Sequence, residues 1–275
     1  MTGSTRFAEQ LGGSVGIGPL KHVLSAVYNG VADPSAVPAK VERWVGKRHP
    51  LLFRKYLLQK NRSVYGYCEP PDPLQLINVD PDSVSQALAV EHGCYYWQHH
   101  KCGTILDGPW DQDTTPVDEL LKVRALSNHF KHDVEWKETA LYAEIIESHT
   151  HEEALSQLEI YDKLYTDLQD GYKTSFELPE TDFMEEICVC IGRHGEILFS
   201  HSGTHRLALV RALELDEVPV RVMVRHAKWQ EIRESLSHRL NDANKEVADF
   251  EEYLDHPDLH KFRSEEKYVT ESYRG

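Results

Sequence analysis

Residues 187–229 constrain the fold of this 275-residue chain more than any other stretch. Two short apolar runs flank a turn at 193–196, and a polar loop then leads into a segment with helical spacing. A third apolar run, at 218–224, is rich in valine and is therefore typical of a strand. We predict the order strand, hairpin, strand, loop, helix, strand, which belongs to an α+β fold.

The loop at 202–206, Ser-Gly-Thr-His-Arg, has the composition of an anion-binding site. The first N–H groups of a helix have no partner within the helix, so they can donate to a phosphate. Gly203 allows a close backbone approach, while Arg206 offers a two-pronged donor and His205 a further one. The sequence therefore predicts a phosphate-binding loop whose contact residues are Gly203, Thr204, His205 and Arg206.

The charge of the chain limits its partners. Its 45 acidic and 30 basic residues give a formal net charge of -15, which disfavours broad nucleic-acid binding because such binding depends on basic surface. The basic stretch at 38–62 fits a local contact with nucleic acid or a membrane surface, and fits a solvated helix face better. No run approaches the ~18 apolar residues of a membrane span, and the N-terminus has no signal-peptide core. We expect a cytoplasmic protein.

The five cysteines form no evident disulfide framework. Cys188 and Cys190 alternate within a predicted strand, so they share one face, where buried and reduced thiols are expected. His99, His100 and Cys102 could supply metal ligands, but their spacing matches no standard zinc pattern. We assign no metal ligands.

Residues 155–229 resemble the ParB N-terminal/sulfiredoxin-like superfamily. The likeness rests on a helix that ends at 170–172, a hairpin, the loop at 203–206 that opens a helix, and a strand with Val-Pro-Val at 218–220. The resemblance implies a small mixed sheet with flanking helices. It covers under a third of the chain and does not include residues 1–150.

Members of this superfamily bind nucleotide phosphates with this loop, and they include CTPases, ATP-dependent sulfinic-acid reductases, free-serine kinases and proteins called nucleases. The resemblance therefore implies a nucleotide, ATP or CTP with Mg²⁺, at 203–206. Ser202 stands where many members have Asp, and Thr204 stands where sulfiredoxins have Cys, so sulfur chemistry is not expected. The acidic stretch after Trp229 is too short for the DNA-binding domain of a partition protein.

We expect three parts in the chain. Residues 1–150 form a mainly helical N-terminal extension with short strands, 151–235 form the ParB/sulfiredoxin-like domain, and 236–275 form an acidic, helical C-terminal tail. Hydrophobic spacing predicts helices at 117–130, 140–146, 152–171, 232–241 and 246–254 and a strand at 74–79.

Two main classes of function fit these features. A nucleotide-dependent phosphotransferase or NTPase needs a carboxylate to accept a proton or to hold Mg²⁺. We predict that Glu177 is this carboxylate. His205 is the second predicted catalytic residue, and Arg225 is a further predicted phosphate contact. A non-catalytic binding module for a nucleotide or another phosphate-bearing small molecule needs the loop alone. A ParB-like nuclease or DNA-associated protein would also need a basic groove, and the sequence leaves these alternatives open.

Overall fold

The computed structural model describes residues 50–89, 102–174, 186–240 and 248–260. The chain forms two compact units, residues 1–72 and 73–275. In the first unit the described residues form a long helix, α1 (Pro50–Tyr65). An ion pair of 2.6 Å between Arg54 and Asp72 joins this helix to the segment that follows it.

The second unit is built on a mixed, seven-stranded sheet. Its strands are β1 (Leu76–Val79), β2 (Gln86–Leu88), β3 (Thr104–Leu106), β4 (Thr114–Pro116), β5 (Cys188–Ile191), β6 (Ile197–Phe199) and β7 (Val218–His226). On one side of β7 lie β1, antiparallel, and β3, parallel. On its other side β5 runs parallel to β7, and β6, β2 and β4 continue the sheet in that order.

β7 is buried on both faces, which explains why its sequence is a nearly continuous apolar run. The register with β5 shifts between Val189 and Cys190, and Met223 becomes an extra residue on β7. Because side chains alternate along a strand, this bulge places Val222 and Val224 in different hydrophobic clusters.

Five α-helices accompany this sheet within the described residues. They are α2 (Leu121–His132), α3 (Ala140–Ile145), α4 (His151–Gln169), α5 (Thr204–Ala212) and α6 (Ala227–Leu240). α4 begins with a capping box, in which Thr150 and Glu153 each accept a hydrogen bond from the other's backbone N–H. It ends before Gly171, whose φ of 120° stops the helix. Both α2 and α4 pack on α5.

Two hydrophobic clusters cover the two faces of the sheet. The larger one joins α2, α4 and α5 to Val189, Ile191 and Val220. The smaller one contains Cys188, Cys190, Cys102 and Met223 with their apolar neighbours. As predicted, Cys188 and Cys190 share one buried face, and both are free thiols.

The α+β fold class is confirmed, because a mixed sheet and helices make up the second unit. The predicted hairpin, helix and final strand correspond to β5, β6, α5 and β7. The predicted helices at 117–130, 140–146 and 152–171 correspond to α2, α3 and α4. The segment at 246–254, predicted as a helix, contains a 3-10 helix at Ala248–Tyr253.

The sheet draws on the first half of the chain more than the sequence indicated. β1 to β4 all lie within residues 73–116, and they share one sheet with β5 to β7. The structure divides after Asp72, whereas the sequence predicts a boundary after residue 150. Strands of three residues, such as β2, β3 and β4, are too short to show a periodic pattern.

Part of the C-terminal tail belongs to the same unit. A 3-10 helix at Pro257–Leu259 buries Asp258 and Leu259. No helix in the described part of the chain is both long enough and apolar enough to cross a membrane.

Candidate phosphate-binding loop

The loop that the sequence singles out connects β6 to α5. His201 and Gly203 both have left-handed backbone conformations, with φ of 65° and 77°. A left-handed conformation is unusual for a residue other than glycine. The His201 ring is held by its Nε2, which donates to the Leu88 carbonyl oxygen at 2.6 Å. Neighbouring Ser202 is buried, and its carbonyl accepts the Cys188 N–H at 3.0 Å. The loop is therefore fixed to β2 and β5.

The backbone of neighbouring residues leaves no space for a side chain at Gly203. A Cβ at this position would lie 2.5 Å from the Glu186 carbonyl oxygen and 2.7 Å from Ile187 Cα. The close backbone approach that Gly203 permits is thus made by the residues that lead into β5. Gly203 also serves as the N-cap residue of α5 without a side chain to cap it.

The first turn of α5 presents backbone donors. Helical bonding starts with the Leu207 N–H, which donates to the Gly203 carbonyl at 2.9 Å. In the part of the chain that the structure describes, the N–H groups of Thr204 and His205 have no acceptor. The Thr204 hydroxyl turns back and donates to the His201 carbonyl at 2.8 Å. These two N–H groups and the helix dipole favour an anion at this end of α5.

His205 points toward α4. Its Nε2 shares a hydrogen bond of 3.1 Å with the Tyr161 hydroxyl, and the two rings lie 4.6 Å apart. Burial, and then the positive charge of Lys122, lowers the pKa of His205 to about 4. The imidazole is therefore neutral at pH 7 and is a weak base there.

Arg206 reaches the segment that follows α4. Its guanidinium Nη1 donates to the Lys173 carbonyl at 3.4 Å, and its Cζ lies 5.9 Å from the centre of the Tyr172 ring. Arg206 and Lys122 place positive charge near the loop, although the whole chain carries a net charge of -15.

A buried carboxylate that the sequence does not single out lies beside the loop. Glu186 is fully buried, and the Tyr172 hydroxyl donates to its Oε2 at 3.2 Å. Burial, and then the charge of Glu186, raises the pKa of Tyr172. In the sequence Glu186 follows another glutamate in a chain with 45 acidic residues, so nothing distinguishes it until the backbone contact with Gly203 is known.

Arg225 lies in a different cluster from the loop contacts. Its fully buried guanidinium donates to Asp258 from Nε at 2.9 Å and to Gln75 from Nη2 at 2.7 Å. Arg233 and the Trp229 indole also donate to Asp258, at 2.7 Å and 3.0 Å. Burial would raise the pKa of Asp258, but the charges of Arg225 and Arg233 hold it well below its usual range. This cluster fixes the C-terminal 3-10 helix to β7 and α6.

The sequence-predicted contacts are thus divided between two places. Gly203, Thr204, His205 and Arg206 come together at the start of α5, whereas Arg225 lies in the Asp258 cluster. Glu177, the predicted catalytic carboxylate, lies outside the described residues, as do His99 and His100. Cys102 is buried in the smaller hydrophobic cluster.

Comparisons of the chain with protein-family models, with curated proteins and with solved structures give no match. The chemistry of the loop therefore rests on its own geometry. Two backbone N–H groups, one guanidinium and a nearby lysine can bind an anionic group of phosphate size.

Proposed function

We propose that this chain contains a ParB/sulfiredoxin-like domain that binds the phosphate groups of a nucleotide, ATP or CTP with Mg²⁺, at residues 203–206. The order of β5, β6, the loop, α5 and β7 supports the resemblance, because it places the loop between a hairpin and a helix. The observation that carries the proposal is the first turn of α5, where the N–H groups of Thr204 and His205 lack an acceptor among the described residues.

The positions of the charged groups agree with phosphate binding. Arg206 lies in the first turn of α5, and Lys122 is close enough to lower the pKa of His205. Gly203 closes the loop against Glu186 and Ile187, so the backbone donors are held in place before a ligand arrives. Preorganised donors of this kind favour a compact, highly charged group over a neutral one.

Within this proposal, the protein acts as a nucleotide-dependent phosphotransferase or NTPase. Such a reaction needs a base or a metal-binding carboxylate near the phosphates. Glu177 remains our candidate for this role.

A non-catalytic nucleotide-binding module is the second candidate function, and the environment of His205 favours it. A histidine bonded to Tyr161 and with its pKa lowered to about 4 is poorly suited to accept a proton at pH 7. In this alternative the loop binds the nucleotide as a ligand. A nuclease or other DNA-associated role is less well supported, because the net charge of -15 opposes nucleic-acid binding.

A thermal-shift screen of the full chain tests the proposal. The protein is heated with ATP, ADP, CTP or GTP, with and without Mg²⁺, and the screen is repeated on Arg206→Ala. Arg211→Ala is a matched control, because Arg211 lies at the other end of α5 and pairs with Asp82 and Asp118.

The proposal predicts stabilisation of the wild type and of Arg211→Ala, and loss of the shift in Arg206→Ala. A ligand at 100 times its dissociation constant adds about 2.7 kcal/mol to the free energy of unfolding. Equal shifts in both variants, or no shift with any nucleotide at saturating concentration, would exclude the loop as a nucleotide site.

A further inference from the structure

Arg206 is positioned by contacts on the segment that follows α4. It donates to the Lys173 carbonyl, and its guanidinium lies 5.9 Å from the Tyr172 ring centre, within the range of a cation–π interaction. A long, flexible side chain loses conformational freedom when it is held in one geometry, and contacts of this kind offset that cost before a ligand binds.

Tyr172 is in turn held by Glu186. The tyrosine hydroxyl donates to the Glu186 carboxylate at 3.2 Å, and Glu186 is fully buried. Removing a hydrogen-bond donor from a buried carboxylate costs free energy. This contact therefore strongly favours one position of the Tyr172 ring. The ring also packs on the larger hydrophobic cluster.

Glu186 links this contact directly to the loop. Its carbonyl oxygen is the atom that a Cβ at Gly203 would approach to 2.5 Å. One residue therefore touches the loop with its backbone and Tyr172 with its side chain. Contacts therefore run from Gly203 to Glu186, from Glu186 to Tyr172 and from Tyr172 to Arg206 at the start of α5.

We propose that Tyr172 and Glu186 are positioning residues for Arg206, which together hold its guanidinium in the orientation that binds a phosphate at the loop. This inference rests on the proposed nucleotide site. It assigns to Tyr172 an effect on ligand affinity that operates through Arg206. Tyr172 itself needs no contact with the ligand.

A double-mutant cycle tests this assignment. The affinities of inorganic pyrophosphate, ATP and CTP, each with Mg²⁺, are measured by calorimetry for the wild type, Tyr172→Phe, Arg206→Ala and the double variant. Tyr172→Phe removes only the hydroxyl, and we expect it to weaken binding about tenfold. Arg206→Ala should weaken binding roughly 100-fold. Adding Tyr172→Phe to Arg206→Ala should then change the affinity by less than about twofold.

Two further variants separate positioning from general loss of structure. Tyr165→Phe makes the same change on α4, where the Tyr165 ring stacks on Phe130 at 4.3 Å, and it should bind as the wild type does. Glu186→Gln keeps an acceptor for the Tyr172 hydroxyl, so it should retain more affinity than Glu186→Ala. The NMR resonance of the Arg206 Nε–H group in the ligand-free protein should move in Tyr172→Phe and stay in place in Tyr165→Phe.

The outcomes distinguish the two proposals. If the wild type binds none of the three probes, the proposed function and this inference both fail. If the wild type binds, but Tyr172→Phe binds equally well or weakens binding to the same degree with and without Arg206, the nucleotide site stands and the positioning role is wrong.

Discussion

Gly203 lies so close to Glu186 that a Cβ at residue 203 would be 2.5 Å from the Glu186 carbonyl oxygen. The left-handed φ of 77° at the same glycine adds a second restriction on side chains there. The two effects together leave no room for a side chain where the loop meets the residues that lead into β5. They also give the glycine a role in the stability of the fold, apart from any ligand.

Gly203→Ala should therefore destabilise the protein. The left-handed conformation and the overlap with Glu186 together should lower the free energy of unfolding by about 2–4 kcal/mol, measured by urea denaturation. Gly108→Ala is the matched control, because Gly108 has a φ of 95° and open space where its Cβ would lie. This control should lose only about 1–2 kcal/mol. Equal losses in the two variants would mean that the contact with Glu186 contributes nothing.

His205 should remain neutral through the physiological pH range. Its pKa of about 4 lies below the usual value because the ring is buried and Lys122 is near. A histidine with a lowered folded-state pKa stabilises the fold above its unfolded pKa of about 6.5 and loses that contribution as the pH falls toward 4. An NMR titration of the imidazole carbons gives the pKa directly, and a midpoint above pH 6 would contradict the buried environment.

The same histidine predicts part of the acid sensitivity of the fold. In His205→Gln the free energy of unfolding should fall less steeply between pH 6.5 and pH 4 than in the wild type. Denaturant titrations of both proteins at several pH values measure the two slopes. Identical slopes would show that His205 is not the titrating group.

Asp258 should be among the most sensitive positions for stability. Its carboxylate accepts hydrogen bonds from Arg225, Arg233 and Trp229 in a fully buried cluster. Asp258→Asn leaves two buried guanidinium groups without their counter-charge and should cost about 3–5 kcal/mol. The exposed residue Asp113 offers a control, since Asp113→Asn should change stability by less than about 0.5 kcal/mol. A comparably small loss in Asp258→Asn would show that the buried charges are compensated elsewhere.

Lys122 should contribute to ligand binding through long-range charge. It lies in the first turn of α2 and is exposed, yet it acts on His205. Lys122→Gln should weaken ATP binding about two- to fivefold at low salt, and this difference should shrink at 1 M salt because surface charges are screened. Calorimetry at two salt concentrations measures it. A loss that does not depend on salt would indicate a direct contact instead.

The sequence predicted best the elements with long, regular patterns. α4 has 19 residues with an apolar stripe and a glycine stop, and β7 has nine residues in a valine-rich run, so the sequence predicts both. β2, β3 and β4 have three residues each, and their place in the sheet depends on partners far away in the chain. Local patterns hold no information about such pairing.

The candidate site was predictable only in part for the same reason. The loop at 203–206 is contiguous, and its helix-opening position follows from the residues around it. Contacts with this loop also come from three residues of other elements, Glu186, Tyr172 and Tyr161. No local sequence pattern shows that these residues lie near the loop. The sequence predicts Arg225 as a phosphate contact, whereas its partner Asp258 lies 33 residues away in the chain.

The most direct test of the proposed site is an NMR titration of the backbone amides with ATP and with CTP in the presence of Mg²⁺. We predict that the amide resonances of Thr204, His205 and Arg206 shift most, in a saturable manner, and that Arg206→Ala removes these shifts. Saturable shifts that leave these three amides unchanged, or no shifts with either nucleotide, would contradict phosphate binding at the start of α5.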